Sequence, residues 1–222
     1  MCNHYRKDAA WRTKMDEFSE TRIVPEFDRG QPAPNTQGPD LWPGYTGEIL
    51  AAREGALIAE AATWLFVPFW YRKSFKDWRK TNGGCNNAKG ETADTSGVFK
   101  HAAKAGRCLI PGDAFFEYAK ARGTDGKKPE YRFSYPDGRP FFFAGLRGAA
   151  EPEEGPMLTY TMVTKPPGPD VQSIGHHRQP VILAGDQLDA WLDPTNPVAD
   201  FLEVSPEGTF RVELAKGVEI RG

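Results

Sequence analysis

The chain has 222 residues, a formal net charge of -2 and an apolar share of 39%. That length suits one large domain or two small ones, and the apolar share allows a sizeable core. A slightly acidic chain does not coat nucleic acid through net charge, so any such contact must be a local basic patch. Residues 8–20 predict a helix, with Asp8 as N-cap and Trp11, Met15 and Phe18 on one face. Residues 24–46 are rich in Pro, Gly, Asn and Asp and read as loop. Residues 47–52 and 56–64 flank Arg53-Glu54-Gly55 and predict a hairpin. Residues 65–95 hold no clean period. They mix Phe66, Pro68, Phe69, Trp70, Tyr71 and Trp78 with Arg72, Lys73, Lys76, Arg79 and Lys80.

Farther along, residues 95–105 predict a short helix ended by Gly106, and residues 107–110 and 114–119 predict strands. Residues 131–135 and 140–146, joined by Pro136-Asp137-Gly138-Arg139, give the clearest hairpin pattern in the chain. A strand over 157–164 runs into the breaker Lys165-Pro166-Pro167-Gly168. A short apolar segment (181–183), a helix (185–192) and a last strand (209–214) complete the order. Strands and helices mix without βαβ regularity and without repeats. The pattern predicts one α+β domain over residues 1–222 with a mainly antiparallel sheet.

Cys2, Cys85 and Cys108 form no CxxC pair, and no secretory signal precedes them. That usage points to a reducing, cytoplasmic setting. The polar start MCNHYRKDAAW and the absence of a long apolar run predict no membrane span. No HExxH and no Cys/His cluster occurs, so no metal is expected.

Four features carry possible chemistry. Cys2 follows the initiator methionine. Once Met1 is gone, its amine and thiol sit on adjacent carbons. The amine condenses with an aldehyde to an imine, and the thiol closes a thiazolidine ring on it. Asn87 lies in the Gly- and Asn-rich run Asn87-Ala88-Lys89-Gly90-Glu91-Thr92, where an amide can orient an amine or carbonyl and Lys89 can hold a phosphate. Glu117 stands alone among aromatics in Ala114-Phe115-Phe116-Glu117-Tyr118, a setting that raises a carboxyl pKa and suits acid–base work. His176 and His177 open His176-His177-Arg178-Gln179-Pro180. Adjacent histidines are expected to point different ways. Each motif alone also suits a bland role: a frayed terminus, an ordinary turn, a solvent-facing strand position, a surface loop.

Their order along the chain resembles the SOS response-associated peptidase (SRAP) family: Met-Cys, then NA(R/K)xET, then FFE plus an aromatic, then HxRxP. The resemblance runs from Cys2 to about Leu183. It implies an antiparallel, barrel-like core surrounded by short helices. It implies removal of Met1, by autoproteolysis or by an aminopeptidase, and binding of single-stranded DNA carrying an abasic site. The sugar aldehyde is then trapped on Cys2 as a thiazolidine crosslink. It places the catalytic roles on Cys2, Asn87, Glu117 and His176. It places DNA contacts on Lys89 and Arg178, an aromatic wedge near Trp64, Pro68, Phe69 and Trp70, and a weaker, pH-dependent basic contact at His4. No cofactor and no metal are implied, and a monomer acting in the cytoplasm on nucleoid DNA is expected. Asn3 and His4 replace the family's common Gly-Arg, and Lys89 replaces an arginine, losing the bidentate fork. Two other readings stay open on the sequence: a thiol peptidase acting on protein, and a non-catalytic single-strand binding module.

Overall fold

The protein is seen in a computed structural model that describes residues 2–18, 36–53, 56–82 and 85–218, with side chains of 15–18 excepted. The first third holds β1 (His4–Arg6), α1 (Trp11–Phe18), β2 (Asp40–Leu41), β3 (Thr46–Arg53), β4 (Ala56–Trp64) and α2 (Phe75–Thr81). Then come β5 (Asn87–Lys89), α3 (Gly90–Ala93), α4 (Lys100–Ala105), β6 (Arg107–Gly112), β7 (Ala114–Tyr118) and β8 (Glu130–Ser134). The last third holds β9 (Phe141–Ala150), β10 (Met157–Lys165), α5 (Pro169–Gln172), β11 (Gln179–Pro180), β12 (Ile182–Leu183), α6 (Leu188–Leu192) and β13 (Arg211–Lys216).

Five strands close on one another. β10 pairs with β4, β4 with β3, β3 with β6, β6 with β9, and β9 returns to β10. Only the β10–β4 contact in this ring is parallel. The second sheet, β13-β8-β7-β1-β2, is antiparallel throughout. β6, β10 and the first part of β9 are buried on both faces, which explains near-continuous apolar runs such as Phe141-Phe142-Phe143-Ala144. Successive side chains alternate between two cores. Leu50, Leu109, Phe142 and Val163 join one cluster, while Ile49, Cys108, Phe143 and Met162 join the other. The expected α+β class with a mainly antiparallel, barrel-like core is what the chain adopts.

Several expectations about elements change. The strands at 131–135 and 140–146 form, and a turn closes between them, with Gly138 N–H donating to Tyr135 O at 3.0 Å. They do not pair with each other. β8 pairs with β7, and β9 pairs with β6. The true hairpin has β6–β7 as one arm and β8–β9 as the other. Both arms bend from the barrel into the second sheet, at Asp113 and at residues 136–139. Aromatics fill this corner: Phe115 stacks on Phe133 at 4.9 Å, and Phe141 sits edge-on to Tyr135 and Phe143 at 5.2 and 5.0 Å. Next, the helix expected over 95–105 is α4 alone, preceded by a turn in which Ser96 Oγ accepts from Val98 and Phe99 N–H. Last, α2 emerges from a stretch with no visible period, because a seven-residue helix with one buried side chain, Trp78, leaves no stripe to read. Asp8 does lead α1, its Oδ1 accepting from Ala10 N–H at 2.8 Å, but Met15 and Phe18 side chains lie outside the described residues. β2 interrupts the loop expected over 24–46, whose first part, to residue 35, also lies outside them.

β1 carries Cys2, and its seat is built from the core. Tyr5 Oη lies 2.7 Å from Tyr160 Oη, joining β1 to β10. Buried Glu48 on β3 accepts from Lys7 Nζ at 2.9 Å and Trp11 Nε1 at 3.2 Å, and pairs with Arg12. Burial alone raises the Glu48 pKa, but Lys7 and Arg12 outweigh it and hold the carboxyl below its usual range. Gly47 is the residue that lets the tyrosine pair close. A Cβ there would sit 2.5 Å from Tyr160 Oη and 2.8 Å from Tyr5 Oη. Gly47→Ala should therefore cost about 1–3 kcal/mol, as overpacking does. A fall in the urea midpoint measures it, and an unchanged midpoint would show that the two tyrosines yield freely.

Candidate active site

The register of β1 against β7 pairs His4 with Phe116. Continued toward the terminus, it sets Cys2 beside Glu117 and Tyr118. Cys2 is fully buried, and its thiol lies 3.4 Å from His4 O. Burial pushes the thiol pKa well above its usual value, and the charge of Glu117 pushes it further. The sulfur is therefore a protonated thiol that needs a base before it reacts. The Cys2 carbonyl is gripped from the other side. Asn87 Nδ2 donates to it at 2.7 Å and Asn86 Nδ2 at 3.2 Å, while Asn86 Nδ2 also meets Asn3 Oδ1 at 2.7 Å. These amides are fixed because β5 lies parallel on β10, Asn87 beside Met162, and because Trp64 Nε1 donates to Asn86 O at 2.8 Å. Asn86 was missed from the sequence. The doubled Asn86-Asn87 was the available signal.

Glu117 is not the solvent-facing residue that an alternating strand suggests. It is 2% exposed, whereas Tyr118 is 48% exposed. Its Oε2 lies 3.1 Å from His176 Nε2. His176 Nδ1 lies 3.1 Å from Tyr118 O, which can only accept, so we assign the hydrogen to Nδ1. One proton then lies between Nε2 and Oε2. Burial raises the Glu117 pKa to about 8 and lowers that of His176 to about 4. Both shifts favour a carboxylic acid facing a neutral imidazole. His177 is exposed and stacks on His176 at 5.2 Å, rather than pointing away as expected. A cavity of about 140 Å³ reaches Glu117, lined also by Asn3, His4, Trp42, Phe116, Tyr118 and Glu130. The structure thus gathers Cys2, Asn87, Glu117 and His176 at one place.

A family model described as SOS response associated peptidase (SRAP) matches residues 1–213. The chain belongs to the SRAP family. It is 28% identical to the abasic site processing protein YoaM of Bacillus subtilis over 91% of this chain and 84% of that one. The abasic site processing protein HMCES of Gallus gallus is 28% identical over 85% of this chain and 60% of its own length, and YoqW of Bacillus subtilis 31% over 63% and 59%. The chain thus spans about three fifths of those last two. A crystal structure of a Bordetella bronchiseptica protein superposes with a TM-score of 0.74 at 27% identity, covering 97% of this chain and all (100%) of that one.

The SRAP register also named DNA-facing residues, and the structure redistributes them. Lys89 is exposed at the end of β5, and Phe69 and Trp70 are 52% and 49% exposed. Trp64 cannot wedge against a base: it is fully buried, edge-on to Tyr5 at 5.0 Å, and its indole holds Asn86. Pro68 is buried too, lining a cleft of about 200 Å³ with Phe69, His101 and Arg147. His4 is not poised for a phosphate. It is sandwiched between Trp42 at 4.5 Å and Phe116 at 3.9 Å, and its ring nitrogens face Glu130 and Asp40, each at 3.2 Å. Two carboxylates already take both positions from which it could donate. The Arg178 fork is likewise filled, by Glu91. Among the described residues no three or more metal-ligating side chains cluster, and no helix is long and apolar enough to cross a membrane.

Proposed function

We propose that this chain binds single-stranded DNA at abasic sites and traps the open-chain sugar aldehyde on Cys2, after hydrolysis of the Met1–Cys2 bond. The observation that carries the reading is the 3.1 Å contact between Glu117 Oε2 and His176 Nε2, beside Cys2, whose backbone carbonyl two asparagine amides fix. Its SRAP relatives, described as abasic site processing proteins, support it.

The chemistry balances without an oxidant or cofactor. An abasic sugar is mostly a closed hemiacetal. Opening it moves a proton from the anomeric hydroxyl to the ring oxygen, which an acid beside a base can relay. The Cys2 amine then attacks the aldehyde carbon. The resulting hydroxyl leaves as water once Glu117 protonates it, giving an iminium ion that keeps its N–H. The thiol adds to the iminium carbon, and a five-membered ring closes. Because burial keeps the sulfur protonated, the Glu117 carboxylate, having given up its proton, or His176 Nε2 takes the thiol proton as the C–S bond forms. The same groups suit Met1 removal, with the thiol as nucleophile, Asn86 and Asn87 steadying the chain at the Cys2 carbonyl, and one water consumed. Lys89, Phe69 and Trp70 supply phosphate and base contacts.

Incubation with an abasic oligonucleotide tests the reading. The expected result is a slower band that survives denaturation, with an intact mass lacking one methionine and gaining the DNA less one water. A shift that denaturation removes would leave only a binding module. No shift at all, from protein lacking Met1, would point to a peptidase acting on protein.

A further inference from the structure

We propose that Glu91 is a built-in occupant of a phosphate site: its carboxylate covers the Arg178 fork, and single-stranded DNA displaces it. The proposal rests on the DNA-binding reading above. Arg178 Nη1 and Nη2 meet Glu91 Oε1 and Oε2, the latter pair at 2.8 Å. That two-pronged geometry is the one a phosphate also takes.

Arg178 does not depend on Glu91 for its place. Nη2 also donates to Thr164 O at 2.6 Å and lies 3.2 Å from Thr164 Oγ1, so β10 holds the guanidinium from below. The Arg178 side chain is 11% exposed and that of Glu91 40%. The carboxylate is therefore the outer partner, lying over an arginine that faces outward beneath it. Swinging one half-exposed glutamate away uncovers the fork without moving the backbone.

The surroundings favour an anion. Arg178, then Lys89, lowers the Glu91 carboxyl below its usual range. His177 is pushed down chiefly by burial, with Arg178 and Lys89 among the charges adding to this, so all three basic groups lie within electrostatic reach of one another. Lys89 and His177 are exposed. Arg178 thus pairs with Glu91 directly, and exposed Lys89 and His177 lie within electrostatic reach of that pair's arginine, next to the His176 loop. Glu91 satisfies the Arg178 fork while no DNA is bound. A DNA strand, bringing several phosphates and stacked bases at once, can outcompete it.

The test is titration of a labelled, lesion-free oligothymidylate at low salt with three variants. Glu91→Gln removes the competitor and should tighten binding about two- to fivefold, the range expected for breaking one exposed ion pair. Arg178→Gln should weaken binding and lower the slope of log affinity against log salt by about 0.7, one single-strand phosphate contact. In the double variant, whose two neutral amides can still pair, the Glu91→Gln gain should vanish. Weaker or unchanged binding by Glu91→Gln overturns the proposal, since a purely structural latch would behave so. An equal gain in the double variant also overturns it, since that is general charge removal. Should Glu91→Gln not fold, Glu91→Asp, which shortens the reach of the carboxylate, should show a smaller gain of the same sign. No binding by the unaltered protein would instead defeat the DNA-binding reading itself, and this proposal with it.

Discussion

Cys2→Ala should abolish heat-stable capture of an abasic oligonucleotide while leaving non-covalent single-strand binding near that of the unaltered protein. Cys2 is fully buried, so the substitution removes one sulfur atom from a packed site and adds no bulk. The grip of Asn86 and Asn87 is on the backbone carbonyl and survives the change. What disappears is the ring-closing atom. Once an aminopeptidase has removed Met1, the α-amine of the alanine variant can still form an imine, which hydrolyses on denaturation unless borohydride reduces it. The expected pattern is therefore no adduct on a denaturing gel without borohydride and a weak one with it. Neither remaining cysteine can stand in, because neither can become the N-terminal residue that unites amine and thiol. Cys108 is fully buried in the core cluster that holds Ile49 and Phe143, and Cys85 is half-buried beside Asn86, each with its thiol pKa raised by burial. A heat-stable adduct on the alanine variant without reductant would defeat the thiazolidine mechanism.

The sequence pointed to residues that the fold brings together better than to the walls around them. Cys2, Asn87, Glu117 and His176 stood out by their order along the chain, each alone also suiting a bland role. The partners that place them did not. Asn86 looks like any loop asparagine until β5 pairs with β10. Glu91 and Arg178 lie 87 positions apart and meet only once the chain folds, with Thr164 O also accepting from the arginine. Trp64 shows the converse error. An aromatic near basic residues suggests base stacking, but β4 ends inside the protein, and the indole is consumed by packing and by Asn86. His4 was read by its charge, while its role here follows from flatness: it fits between two aromatic rings and two carboxylates. The 136–139 turn is legible as a turn but not as a corner, because local turn chemistry is the same at a hairpin tip and at a corner between sheets. Which one forms depends on β6 and β7, many residues away.

Glu117→Gln should slow adduct formation by about 10²–10⁴, the usual worth of a general acid–base group, while changing oligonucleotide affinity little. The carboxamide keeps the shape and can still donate a hydrogen bond to His176 Nε2, but it cannot give up or take back a proton. Two pH readouts separate loss of that proton from loss of structure. In the unaltered protein, burial holds the Glu117 proton on until about pH 8, and His176 gains one only near pH 4. The pair titrates as a unit, so the acid-catalysed steps should run between those limits and fade as pH rises through about 8. The glutamine variant should lack that alkaline fall in its residual rate. Stability gives the second readout. A carboxyl whose folded pKa is raised binds its proton more tightly in the native state. Its contribution is full below the unfolded value, near 4.5, and is lost as pH rises through about 8. The unaltered protein should accordingly weaken in urea between those values more than Glu117→Gln does. Equal rates and parallel stability profiles would return Glu117 to a packing role. A slow variant whose stability profile diverges in the stated direction places the working proton on the carboxyl beside Cys2.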